Sequence, residues 1–359
     1  MMRHDKSVSI AKGIGITLMV VSHSGDPDVL NRFIYAFLMP TFLFLSGYLF
    51  DINYLDNKKL FLKKRLKSLY LPFVKWSLIF LLFHNLLAGC GIYDEHYTWQ
   101  TLALRAVGAV AFRDTDELLK TFWFLRDLFW ASMISLCFLW TCRHAIKSHF
   151  GWGSARSRII ELSATGVMII ACLAVASFGR YFPINIPLMG SHTSMSVACF
   201  LAGFIFRKVT VFRNMRVGML MLSVVLLYIW ISGKGYEMLA IDNLGAEVFM
   251  YFMISMIGAV GMMNLCSDIK GRVADCLDYI GTKTLYVMTW YLVAFKLVSM
   301  VKIWHYGYDY WQLLSSFPVI MQDNAFFWVL YSAVGVALPI TGCMIYDRIK
   351  LKLRRQEIQ

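Results

Sequence analysis

Val8-Ser9-Ile10-Ala11-Lys12-Gly13-Ile14-Gly15-Ile16-Thr17-Leu18-Met19-Val20-Val21-Ser22-His23-Ser24 decides the class of this chain. As a helix rising 1.5 Å per residue, this mostly apolar run is ~25 Å long, close to the hydrocarbon thickness of a bilayer. Comparable runs recur at about 8–24, 30–50, 69–89, 122–142, 159–177, 190–206, 217–233, 246–266, 280–301 and 325–346. The expected fold is all-α: a polytopic transmembrane helical bundle of about ten spans, one integral-membrane domain over residues 1–359.

Composition agrees. Hydrophobic residues make up 58% of the chain and charged ones 16%, where soluble domains carry about 25% charged residues. The net charge of +13 raises the question of nucleic acid, but the basic residues sit in alternate loops rather than on one aromatic-studded surface. Twenty-three lysines and arginines fall on the side holding both termini, six of them in loop 51–68, and seven on the other. Five more, Lys12, Lys75, Arg126, Lys283 and Lys296, lie within or at the edge of spans. By the positive-inside rule both termini are cytoplasmic, and no nucleic-acid partner is expected. The eight cysteines include no CxxC pair, so neither a disulfide framework nor a metal site is expected. The first run has no small-residue cleavage site and reads as a retained span. The longest outward segments are about 90–121 and 302–324, the second rich in aromatics (Trp304 to Trp311) that suit the membrane interface.

Ionisable groups in hydrocarbon cost ~2.5–3.5 kcal/mol on insertion scales, so those within spans mark interior faces and candidate sites. Lys12 and His23 are eleven residues apart. On an ideal helix that is about three turns, placing them on one face some ~16 Å apart. Snorkelling explains Lys12 alone, and a helix-end bond to a neighbouring carbonyl explains His23 alone. In span two, Pro40 is expected to kink the helix and Ser46-Gly47 to allow close helix approach. In span four, Trp123 and Asp127 share a face at i and i+4, with Arg126 adjacent. Such charges either pair with a neighbouring helix or line a polar cavity. Span nine carries Tyr279-Ile280-Gly281, Tyr291 and a deep Lys296 that needs a partner, such as a structural ion pair, or a water-filled cavity.

These residues together resemble the membrane acyltransferase family 3. Its hallmark is a basic residue, ten intervening residues and a histidine, which Lys12 to His23 fits. Met39-Pro40 through Ser46-Gly47-Tyr48-Leu49 is similar to the second-span motif, and Lys64-Arg65 through Leu71-Pro72-Phe73 to the basic turn into span three. Phe122-Trp123-Phe124-Leu125 and Tyr279-Ile280-Gly281 match later landmarks. Many relatives carry a histidine in span nine where this chain has Tyr291. The resemblance covers essentially the whole chain and is to the stand-alone type.

The resemblance implies an O-acyltransferase of the bacterial inner membrane. It would move an acyl group, typically acetyl, from cytoplasmic acyl-CoA to a hydroxyl of a surface glycan or lipid-linked sugar. Acetyl-CoA is then a co-substrate, and no bound cofactor is expected. His23 is the expected catalytic base, or the carrier of a transient acyl group. Lys12, Lys64 and Arg65 are expected at the donor's phosphates. Trp123, Arg126, Asp127, Tyr291 and Lys296 are acceptor-side or cavity candidates. Intramembrane His, Lys and Arg also mark transport pathways, so a transporter or flippase of a glycan precursor is the alternative, although paired broken helices are not evident. A non-catalytic scaffold is the third reading.

Overall fold

The computed structural model describes residues 5–113, 115–150, 154–178, 190–209, 214–308 and 313–356, and every regular element among them is helical. In chain order these are α1 (Lys6–Val21), α2 (Asp28–Tyr35), α3 (Leu38–Tyr48), α4 (Lys58–Arg65), α5 (Leu71–Gly89), α6 (Trp99–Val110) and α7 (Trp123–Phe150). They continue as α8 (Ala155–Phe178), α9 (Ser191–Lys208), α10 (Met215–Ser232), α11 (Glu247–Leu265), α12 (Gly271–Thr282), α13 (Thr284–Tyr306) and α14 (Phe327–Gln356).

Among the described residues, eight helical segments are long and apolar enough to cross a membrane. Their outward faces are oily: Leu82, Leu86, Val167, Leu220, Trp230 and Ile231 are all exposed, as lipid contact requires. The other two expected spans, α1 and α9, are 16 and 18 residues long. Both turn inward, α1 burying Val8, Ile10, Ile16, Met19 and Val20. In α9, Ser191, Thr193, Ser194 and Ser196 are buried together with Cys199, Phe200 and Leu201.

The helices form two compact units. One comprises Met1–Asn31, Phe73–Phe122 and Lys270–Gln359. In it α1 crosses α12 with backbones in contact. A Cβ on Gly13 would meet the Leu277 carbonyl oxygen at 2.1 Å, and one on Gly281 the Ser9 carbonyl oxygen at 1.9 Å. The Tyr279-Ile280-Gly281 segment therefore lies on α12, not at the start of span nine as expected. The chain breaks at Lys283 before α13 begins at Thr284. Where α1, α13 and α14 meet, Gly335 leaves room for Phe295 and Val20.

The outward segment expected at 90–121 contains α6, which exposes Trp99, Leu104, Val107 and Val110. An exposed apolar stripe on a short helix suits the membrane interface. The loop before it is held by His84, whose ring stacks between Tyr93 and Tyr97 with centroids 4.2 and 3.7 Å away. Its Nδ1 meets the Asp116 carboxylate at 3.0 Å and its Nε2 the Glu95 carbonyl at 3.2 Å. Of the aromatic run near 304–311, Tyr306 stacks on Tyr308, while Asp309, Tyr310 and Trp311 lie outside the described residues.

The other unit comprises Arg32–Pro72 and Trp123–Ile269. Its centre is the crossing of α3 and α9, where Gly47 faces the Phe200 carbonyl and Gly203 faces the Phe44 carbonyl. The kink expected at Pro40 falls one turn earlier, between Tyr35 and Leu38. Proline lacks an N–H, so the carbonyl four residues back loses its helical donor. That carbonyl, on Ala36, instead accepts from the Ser255 hydroxyl of α11 at 2.8 Å.

Candidate functional site

α1 ends at Val21, so His23 lies in the turn beyond the helix rather than on its last ring of side chains. Gly25, at φ +75°, and Pro27 stop the helix there. Met19 has lost its regular i+4 amide partner, because the His23 amide bonds the Val20 carbonyl at 3.2 Å instead. The freed Met19 carbonyl accepts from His23 Nδ1 at 2.8 Å and from the Ser22 hydroxyl at 3.0 Å. With Nδ1 as the donor, a neutral ring carries its lone pair on Nε2.

The loop around His23 is tied down residue by residue. Asn31 Nδ2 donates to the Ser22 carbonyl at 2.9 Å and to Asp26 Oδ1 at 2.8 Å. Burial pushes the Asp26 carboxyl above the usual carboxylate range, and the bond from Asn31 opposes this. The Ser24 hydroxyl donates to the Val21 carbonyl and accepts from Ser332 of α14 at 3.0 Å. Asn324 Nδ2 bridges the Ser24 and Gly25 carbonyls at 3.1 and 3.0 Å. Its Oδ1 in turn accepts from Lys302 Nζ at 3.2 Å. A Cβ at Gly25 would lie 2.3 Å from Asn324 Nδ2, so glycine serves both the turn and this clasp. Asn324→Ala is expected to lower stability by about 2 kcal/mol and to slow any reaction run by His23. Thermal unfolding in detergent checks the first effect, and an unchanged midpoint would contradict the clasp.

Behind His23 stands Tyr291, fully buried, with its ring edge-on at 5.6 Å. Tyr291 packs against Phe295, Phe295 against Tyr331, and the Tyr331 hydroxyl meets that of Ser299 at 2.9 Å. Lys120, from the turn before α7, lies within electrostatic reach of His23. Lys296, buried as expected, spends its ammonium on the carbonyls of Leu314 and Ser316 at 2.9 and 2.8 Å. Its partners are carbonyls of the 313–316 loop, so within the described contacts it braces that loop. Lys302 does the same with the Ile320 carbonyl at 2.9 Å. Lys12, half-buried on α1, shares the unit with His23.

The remaining candidates belong to the other unit. Lys64 is exposed and bonds the Tyr54 hydroxyl at 2.8 Å, and Arg65 reaches the Ser46 hydroxyl at 2.8 Å. Trp123, Arg126 and Asp127 are brought together: with Trp130, Gly190, His192, Thr193 and Leu239 they line a cavity of about 140 Å³. The expected common face of α7 is real, since positions 123, 126, 127 and 130 are spaced for one side of a helix.

The acyltransferase domain family model matches residues 5–345. The chain belongs to acyltransferase family 3. No curated protein and no solved structure matches it. As a member, it is a membrane acyltransferase with several helices able to cross a bilayer. The family's landmark motifs acquire physical partners here. The segment with Lys12 contacts Tyr279-Ile280-Gly281 through Gly13 and Gly281, and the second-span motif meets α9 through Gly47.

Sequence reasoning missed Lys302, Asn324, Trp130 and His192. Lys302 was readable only as an outward loop cation, although it is fully buried. Asn324 and His192 sit far along the chain from the groups they serve, and no local pattern links them.

Proposed function

We propose that this membrane acyltransferase moves an acetyl group from cytoplasmic acetyl-CoA to a hydroxyl of an extracytoplasmic surface glycan or lipid-linked sugar. The observation that carries the reading is the committed His23 tautomer: Nδ1 donates to Met19, leaving Nε2 as the basic nitrogen on a braced loop, in a chain of an acyltransferase family. Nε2 takes the proton of the acceptor hydroxyl as its oxygen attacks the thioester carbonyl. The C–S bond then breaks, and the departing thiolate takes that proton from the imidazolium to give free CoA. An acetyl group carried briefly on Nε2 is the two-step form of the same exchange.

Lys12 is the residue of its unit assigned to an anionic group of the donor, since a half-buried ammonium favours a phosphate. Lys64 and Arg65 remain candidates for donor contact on the other unit. The charge asymmetry of the loops supports cytoplasmic termini, and the bacterial inner-membrane location rests on the family resemblance.

Membrane vesicles carrying the protein, supplied with acetyl-labelled acetyl-CoA, are expected to deposit label on extracted glycan. Vesicles without it are not. A glycan that crosses the membrane in a protein-dependent way but stays unlabelled would replace this reading with the transporter one.

A further inference from the structure

The cavity at the start of α7 and α9 holds two buried polar atoms with no hydrogen-bond partner among the described residues: Asp127 Oδ2 and His192 Nδ1. Asp127 is only 4% exposed. A buried carboxylate oxygen needs a donor, and an imidazole nitrogen needs a donor or an acceptor. An alcohol supplies both at once, giving its proton to Asp127 and accepting from His192. Nε2 of His192 lies 3.7 Å from Asp242 Oδ2, so the other edge of the ring faces a carboxylate.

Charge narrows the choice. Arg126 bears electrostatically on Asp127 and, as a fixed cation, works against a cationic ligand. The buried carboxylate works against an anion. A neutral, hydroxylated molecule satisfies the whole lining, including the Thr193 wall. Size and shape narrow it further. A cavity of ~150 Å³ holds one benzene ring; this one is about 140 Å³ and open at its mouth, so it seats one face of a pyranose, which is bulkier than benzene, and leaves the rest at the opening. Trp123 and Trp130 both line it, and flat indole faces suit the C–H face of a saturated ring.

We propose that this cavity is a monosaccharide subsite that takes one pyranose ring. One ring hydroxyl bridges Asp127 and His192, and the ring lies against Trp123 and Trp130. That the ring is the acceptor's rests on the acyltransferase reading; that it binds does not.

The test uses the full chain, purified in detergent without any acyl donor. It is titrated with the methyl glycosides of glucose, galactose, mannose and rhamnose, and with choline chloride and sodium sulfate. Saturation-transfer NMR and tryptophan fluorescence report binding. At least one glycoside is expected to saturate, with choline and sulfate inert. Asp127→Asn, which keeps the shape, and His192→Gln are each expected to weaken that binding by about tenfold or more. Thermal unfolding of each variant shows whether it is folded, and either folded variant suffices. Saturation by none of the four glycosides, unaltered sugar binding in the folded variants, or displacement by choline overturns the subsite. Sugar binding without label transfer from acetyl-CoA would overturn the proposed activity and leave the subsite standing. Transfer without sugar binding would do the reverse.

Discussion

His23→Ala reduces label transfer from acetyl-CoA by about 10²–10⁴-fold, the range lost when a positioned general base is removed. The same substitution deletes the bond to the Met19 carbonyl, so about 1 kcal/mol of stability goes with it. His23→Asn separates the two effects. Its amide N–H can still serve Met19, but it has no basic nitrogen, so activity falls as far as in the alanine variant while stability is better kept. Initial rates and unfolding midpoints, measured on one preparation of each variant, check both. A His23→Asn protein that transfers at the wild-type rate would remove the base from the mechanism.

Gly47→Ala is the second large effect, and it concerns folding rather than chemistry. Its new methyl would stand 1.8 Å from the Phe200 carbonyl oxygen. That atom belongs to a helix backbone, so no side-chain rotation relieves the clash and α3 and α9 must separate. Overpacking of this kind costs about 3 kcal/mol, and between membrane helices close backbone approach is itself a main source of attraction. Gly203→Ala does the same from the other side, 1.9 Å from the Phe44 carbonyl. One separation accommodates both methyls, so the double variant is expected to lose less than the two single losses combined. Thermal unfolding in detergent measures all three. A Gly47→Ala midpoint equal to wild type would mean that the crossing is not this tight.

The helices were legible because a membrane leaves the backbone little choice. Runs of apolar residues of one length must be helices, and their ends were readable to within a few residues for α8, α10 and α11. Where the reading slipped, a local backbone event intervened. The break at Lys283 made a separate α12, the exposed stripe of α6 looked like loop, and the bend at Pro40 appeared one turn upstream, where the orphaned carbonyl is.

For the candidate site the division is sharper. The sequence alone determined a helical membrane protein, an uneven share of basic residues between alternate loops, Gly47 as a point of close helix approach, and His23 with Trp123 and Asp127 as residues to watch. Hydropathy, charge and helical spacing are properties of neighbours along the chain, and they need no fold to be read. Only the tertiary structure decided that His23 donates through Nδ1 and that Lys302 and Asn324 hold its loop. It also bound Lys296 to carbonyls and set His192 across a cavity from Asp127. Those choices depend on which buried polar groups meet across distant helices. Hydrogen bonds in a low-dielectric interior are settled by that meeting, and a linear pattern does not encode it.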